Sequence, residues 1–257
     1  MNHNLLSIVF AGGLFVGMIL LLELGRRLGR RRWERDEEGS RAGLGAVEGA
    51  VFALMGLLIA FTFAGAASRF DTRRQMVIEE ANGIGTAWLR LDLLPADSQP
   101  ELRDLFRRYL DSRLAAYQKL PDLEAALAEL NKADALEGEI WSRAVVACGQ
   151  SPSPIVAQVI PALNAMFDLA ATRTAAAQIH PPEIIFIMLG VLALMSSLMA
   201  GYAMAGGKAR SWIHTTGFAL IMAATVYVIL DLEFPRLGFI RIQAIDRMLI
   251  ELRQSMQ

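Results

Sequence analysis

Polar and apolar positions in this chain are sorted into long blocks. Four stretches contain no Lys, Arg, Asp or Glu: Leu5–Leu22, Gly49–Ser68, Ile184–Gly207 and Ser211–Leu230. A hydrocarbon core of roughly 30 Å takes about 20 mostly apolar helical residues to cross, so each stretch predicts a transmembrane helix. Two lie near each end of the chain, and about 115 hydrophilic residues separate the pairs. That spacing predicts an integral membrane protein with one water-exposed domain.

Within the second span, Gly49, Ala53, Gly56, Ala60, Ala64 and Ala67 recur at three- and four-residue steps and form a strip of small side chains. Such strips let helix backbones approach closely in lipid, where no hydrophobic effect drives association. The third span repeats the device with Ala193, Ser197, Gly201 and Ala205. The pattern supports tight packing twice; the partner in each case is either another span or a neighbouring subunit.

Beyond the second span the pattern turns amphipathic. No proline occurs before Pro95, so the helix can run on to Leu94, a total of roughly 70 Å from Gly49 at 1.5 Å per residue. Val77, Ala81, Ile84, Trp88 and Leu91 alternate at four- and three-residue steps, a narrow apolar seam, while Gly83 and Gly85 weaken the same helix. A second helix places Leu102, Leu105, Phe106, Tyr109, Leu110, Leu114 and Tyr117 on one side. A third starts after Pro121-Asp122 and carries Leu123, Leu127, Leu130 and Leu136 to about Ala147. A fourth runs to about His180, kinked or broken at Pro161. No segment alternates with period two. The fold class is therefore all-α: a polytopic membrane protein with four transmembrane helices, two plus two, and a helical extramembrane bundle between spans two and three. The predicted organisation is a first transmembrane pair over 1–68, with spans at about 5–22 and 47–68, and a helical domain over 69–181 whose first helix continues span two. A second pair follows over 182–232, with spans at about 184–205 and 211–231, then an amphipathic tail over 233–257.

Charge orients the spans. The first connection carries Arg26, Arg27, Arg30, Arg31, Arg32, Arg35 and Arg41, and the connection between spans three and four adds Lys208 and Arg210. By the positive-inside rule these loops, including the Arg-rich segment 23–45, face the cytoplasm, which puts the central domain on the opposite side of a plasma (inner) membrane. Arg69, Arg73 and Arg74 past span two, and Arg236 and Arg241 past span four, reduce that asymmetry. Met1-Asn2-His3-Asn4 carry no basic residue and no Ala-x-Ala site follows Leu22, so the first span reads as a retained anchor. Over residues 70–180 there are 11 Lys and Arg against 15 Asp and Glu, which argues against a nucleic-acid partner.

Candidate chemistry is sparse. Cys148 is the only cysteine, so an internal disulfide and a Cys-rich metal site are excluded. His3, His180 and His214 lie far apart and make no metal-ligand spacing, and no phosphate loop is present, so no catalytic residue, cofactor or metal is assigned. Acids and bases at the ends of the spans stand out instead. Arg69, Asp71, Arg73, Arg74, Glu79 and Glu80 leave span two together, and Asp231, Glu233, Arg236 and Arg241 leave span four. They read either as an inter-helix salt-bridge network or as a ring of charge at a pore mouth. Glu48 at the entry of span two reads as an interfacial anchor or as an intramembrane functional acid. Phe52, Phe61, Phe63 and Phe70 are either packed or lipid-facing, or they constrict an axis ringed by span two. On that last reading Glu48, Phe52, Gly56, Ala60, Phe63 and Ala64 are the pore or packing positions.

These residues carry a resemblance. The stretch Ala64-Gly65-Ala66-Ala67-Ser68-Arg69-Phe70-Asp71-Thr72-Arg73-Arg74-Gln75, continuing through Glu79-Glu80-Ala81-Asn82-Gly83-Ile84-Gly85-Thr86 and Leu89-Arg90-Leu91-Asp92-Leu93-Leu94-Pro95, resembles the bacterial bestrophin-like domain family of unknown function. The tail Ile229-Leu230-Asp231-Leu232-Glu233-Phe234-Pro235-Arg236-Leu237-Gly238-Phe239-Ile240-Arg241 resembles that family's closing motif, with Phe234 where a basic residue is usual. The resemblance implies kinship with bestrophins, pentameric anion channels whose second helix lines a hydrophobic neck. It carries over no calcium site, and it implies a cytoplasmic central domain, opposite to the charge count. The sequence thus leads to a homo-oligomeric, non-enzymatic membrane protein in the lipid bilayer, conducting inorganic ions through an axis lined by span two. The alternative is a non-conducting scaffold or sensor whose extramembrane helical domain binds a protein partner.

Overall fold

The computed structural model describes residues 3–33, 44–206, 212–240 and 246–256. Among these every regular element is helical, and four helical stretches are long and apolar enough to cross a membrane. In chain order the α-helices are α1 (His3–Trp33), α2 (Leu44–Arg90), α3 (Gln99–Gln118), α4 (Leu123–Gly149), α5 (Ser153–Gln178), α6 (Glu183–Ala203), α7 (Trp212–Glu233) and α8 (Arg247–Ser255). The chain divides into two units. One comprises Met1–Arg69 and His180–Phe234, the other Phe70–Ile179 and Pro235–Gln257.

In the first, transmembrane unit, α1 packs along α6. The small strip of α6 is consumed there: Ala193, Ser197, Gly201 and Ala205 are all buried. A Cβ on Gly201 would run into the Leu22 carbonyl, and a Cβ on Gly25 into the Leu198 carbonyl. Gly29 is placed in the same way against Tyr202 of α6 and Ala205 just beyond it. Gly25 and Gly29, four residues apart on α1, are thus the counterpart of the α6 strip and let the two backbones touch. The strip of α2 behaves differently. Gly49, Ala53, Gly56, Ala60 and Ala64 are exposed, and a Cβ placed on Gly49 or Gly56 meets nothing within 4 Å.

In the second, extramembrane unit, the apolar seam of α2 enters the core: Val77, Ala81, Ile84, Trp88 and Leu91 are all buried. They meet Phe106, Tyr109 and Leu110 of α3, Leu136 and Ile140 of α4, and Leu163 and Met166 of α5. Full burial of a side chain of this size contributes about 1.5–3 kcal/mol, so the seam anchors the unit. Helix α2 runs unbroken through Gly83 and Gly85. A Cβ on Gly83 would lie 2.7 Å from Leu169 Cδ1, so the glycine makes room for α5. Helix α5 likewise continues through Pro161.

Helix α4 departs from its sequence pattern. Leu123 and Leu127 are exposed, and the buried face is Ala126, Ala133, Leu136, Ile140, Ala144 and Ala147. Alanines on that face let α4 lie close to its neighbours. Asp122 caps its start by accepting from Ala125 N at 3.1 Å. The end of the chain joins this core too, with Leu249 of α8 and Met256 fully or almost fully buried and Arg253 paired to Asp111 at 2.8 Å. Cys148 is buried at the edge of the same core, and burial pushes its thiol pKa up.

Candidate charged clusters and the open face of the second helix

Two clusters contain five of the ten charged residues grouped from the sequence: Arg69, Asp231 and Glu233 in one unit, Glu80 and Arg236 in the other. In the transmembrane unit the Glu233 carboxylate is fully buried at the end of α7. Arg69 of α2 grips it with both prongs, Nε at 3.0 Å and Nη2 at 2.8 Å from Oε2. Gly65, one turn earlier, gives that guanidinium its bed, since a Cβ there would lie 3.2 Å from Arg69 Nη1. His180 Nδ1 lies 3.3 Å from Glu233 Oε1, and the His180 ring stacks on Phe234 with centroids 4.6 Å apart. Phe234, which takes the place of the expected base, thus supplies an aromatic face to the imidazole. Asp231 is also buried and accepts from the Tyr227 hydroxyl at 3.2 Å.

In the extramembrane unit Glu80 of α2 is wholly buried between two arginines. Arg113 of α3 donates to its Oε1 at 2.7 Å, and Arg173 of α5 pairs with its Oε2. Arg236 forms a two-pronged pair with Asp246 at 2.9 Å for each contact, and Asp246 also lies 3.6 Å from Arg173. Tyr117 sits among these cations, its ring centroid 3.9 Å from the Arg173 guanidinium carbon and 4.2 Å from that of Arg236. Burial opposes the Arg113 charge, but the Tyr117 and Glu80 oxygens outweigh it and raise the guanidinium pKa. On the edge of this cluster Tyr109 donates to Glu137 at 3.0 Å. Burial pushes the Glu137 carboxyl up to about 7, against the lowering effect of that hydrogen bond.

The remaining sequence candidates fall outside both clusters. Asp71 pairs locally with Arg74 at 3.3 Å, and Glu79 accepts from Gln75 at 3.3 Å. Arg73 donates to the carbonyls of Ala176 and Ile179 at the end of α5. Arg241 lies outside the described residues. The nine described charges of that group are therefore divided between two units, and Arg113, Tyr117, Arg173, His180 and Asp246 are further members of the two clusters. Arg113, Arg173 and His180 do not stand out by spacing, because the acids they meet lie far away in the chain: Glu80 is 33 residues from Arg113 and 93 from Arg173, and Glu233 is 53 from His180. Among the described residues no group of three His, Cys, Asp or Glu is placed to hold a metal ion.

The six α2 positions named as pore or packing candidates share one stretch. Glu48 and Phe52 are half-buried, with Phe52 edge-on to Phe218 of α7 at 6.0 Å. Gly56, Ala60, Phe63 and Ala64 are exposed. A cleft of about 380 Å³ opens in the extramembrane unit between Asn82, Thr86 and Arg90 of α2 and Pro161 and Ala165 of α5.

The chain is similar in fold to crystal structures of a bacterial bestrophin homologue from Klebsiella pneumoniae. One point variant superposes with a TM-score of 0.59 at 13% identity, covering 93% of this chain and 97% of that one. A second variant gives 0.57 at 14% identity, covering 92% and 98%. A third crystal structure, described as a membrane protein with a point substitution, gives 0.54 at 13% identity, covering 93% and 98%. No curated protein matches the sequence. The Bestrophin-like domain family matches residues 12–245, nearly the whole sequence. With four membrane-spanning helices and a helical extramembrane unit, this chain is an all-α membrane protein that belongs to the bestrophin-like domain family.

Proposed function

We propose that the chain is a subunit of a homo-oligomeric ion channel in the bacterial plasma membrane, with the Gly49–Ser68 helix lining the axis, and not an enzyme. The observation that carries this reading is the open face of α2. A small-residue strip serves close helix approach in lipid. On α6 that strip is filled by α1, whereas on α2 Gly49, Gly56, Ala60 and Ala64 remain uncovered by their own chain. A neighbouring copy is the natural occupant, and the exposed Phe63 would then stand near the axis as an apolar constriction that gates by dewetting. The kinship implied by the family name supports conduction of inorganic ions through it. Purified protein imaged in nanodiscs, followed by flux measurements in liposomes, tests this. A closed ring with α2 around a water-wide hole, and ion flux that rises in Phe63→Ala, is the expected result. A monomer, or a ring without flux in either form, rejects it.

A second reading is supported by exposed apolar side chains on the extramembrane unit, including Leu89, Leu123, Leu127 and Val146. They suit a scaffold or sensor that binds a protein partner there. An oligomer that carries no flux but retains a specific partner would favour it.

A further inference from the structure

Neither reading uses the polar side chains that α2 places along the cleft in the extramembrane unit. Glu79, Asn82, Thr86 and Arg90 recur at three- and four-residue steps, so they share one line along the helix. Across from them α5 offers Ala162, Ala165 and Leu169, and the space between is about 380 Å³. Small-molecule sites begin at roughly 300 Å³ and set an apolar wall against a few polar groups, as this cleft does. The two helices meet at Gly83, where a Cβ would lie 2.7 Å from Leu169 Cδ1, which gives the cleft a fixed wall. The fold does not consume the polar groups. Thr62, Thr174 and Thr225 each donate to the carbonyl four residues earlier, at 2.7, 2.9 and 2.8 Å, as helical threonines commonly do. The Thr86 hydroxyl makes no such bond, and neither it nor the Asn82 amide has a hydrogen-bond partner among the described residues. Arg90 is half-buried and donates Nη1 to the Gln158 carbonyl at 2.5 Å. That bond ties the guanidinium to α5 and leaves Nε and Nη2 without a partner among the described residues.

A guanidinium anchored by one nitrogen and open at the others suits a carboxylate, whose two oxygens match the remaining donors. Glu79 stands at the other end of the line, roughly 16 Å away at 1.5 Å per residue, and opposes a second negative charge there. We propose that the cleft binds a small monocarboxylate that carries a hydroxyl or amide group along its chain. Its carboxylate pairs with Arg90, and the second polar group meets Thr86, about 6 Å further along the helix, or Asn82 beyond it. The carbon chain between them lies against Ala162 and Ala165, whose short side chains leave it room.

The test is saturation-transfer NMR on the full chain in detergent, titrated with N-acetyl-β-alanine, its neutral carboxamide counterpart and the dianion glutarate. The expected result is transfer to N-acetyl-β-alanine, with weaker binding of both other probes. Arg90→Gln should weaken that binding about tenfold and Thr86→Val, which keeps the shape without the hydroxyl, about threefold. Arg108→Gln removes an exposed arginine of α3 outside the cleft and should leave binding at the wild-type level. Ala165→Leu fills the cleft from an exposed position, so it should block binding in a folded chain and covers the case in which Arg90→Gln fails to fold. Absence of transfer to N-acetyl-β-alanine, equal binding of the neutral counterpart, or wild-type binding by both Arg90→Gln and Ala165→Leu overturns the site. Glutarate bound as tightly as N-acetyl-β-alanine overturns the monocarboxylate assignment.

Discussion

Loss of the Glu233 carboxylate would leave Arg69 without the partner it holds with both prongs. Breaking a buried pair by removing one member costs about 3–5 kcal/mol, because the other charge stays desolvated. Arg69 is about one third exposed, so Glu233→Ala is expected at the lower end of that range, read as a fall in the melting temperature in detergent. Glu80→Gln should cost more, since both of its arginine partners are almost fully buried. Glu137 gives a pH signature. Its folded pKa, about 7, exceeds the ordinary carboxylate value, so the folded state holds the proton more tightly than the unfolded state. Stability is then lost as pH rises through the window between the ordinary carboxylate value and about 7. Glu137→Gln should flatten unfolding curves measured at pH 5 to 8 and stabilise the protein by about 1 kcal/mol at the alkaline end, after allowance for solvent screening. At this scale the sequence marks which residues are charged, and Glu80 and Glu233 stand out among them. It does not show that one belongs with Arg113 and Arg173 and the other with Arg69, because pairing over such separations is decided by helix packing.

The helices themselves were largely legible, and the exceptions share a cause. The α2 seam at Val77, Ala81, Ile84, Trp88 and Leu91 reads correctly because one apolar face is buried and the rest is polar. Helix α4 misleads because its leucines at 123 and 127 face outward while alanines fill the core, so hydrophobicity alone selects the wrong face. Gly83 reads as a weak point and is instead a place where α5 packs close, at Leu169. The two small-residue strips make contrasting predictions. Gly201→Val would force the α1 and α6 backbones apart at Leu22, so loss of folded protein or a destabilisation of at least about 1–3 kcal/mol is expected by thermal unfolding. Gly56→Val meets nothing within 4 Å in its own chain, so the subunit should fold normally. Its effect should appear only in oligomer size by light scattering and in ion flux, because the surface it changes is the one proposed to meet another copy.

For the molecule as a whole, the blocks of uncharged sequence suffice to identify a four-span membrane protein, because an unpaired charge in hydrocarbon is too costly to be scattered along a span. The side of the membrane occupied by the extramembrane unit depends on a few arginines, and there the charge count and the family resemblance give opposite answers. Burial of the only cysteine bears on that question. A shielded thiol with a raised pKa offers little thiolate to an electrophile, so the native chain should stay unmodified by a membrane-impermeant maleimide while folded. The protein therefore supplies a silent background in which one introduced cysteine reports alone. Gln150→Cys, at an exposed position just after α4, would be labelled on intact spheroplasts if this unit faces outward and only after lysis if it faces the cytoplasm. One chemical handle, added without removing anything native, turns the chain into a reporter of its own topology.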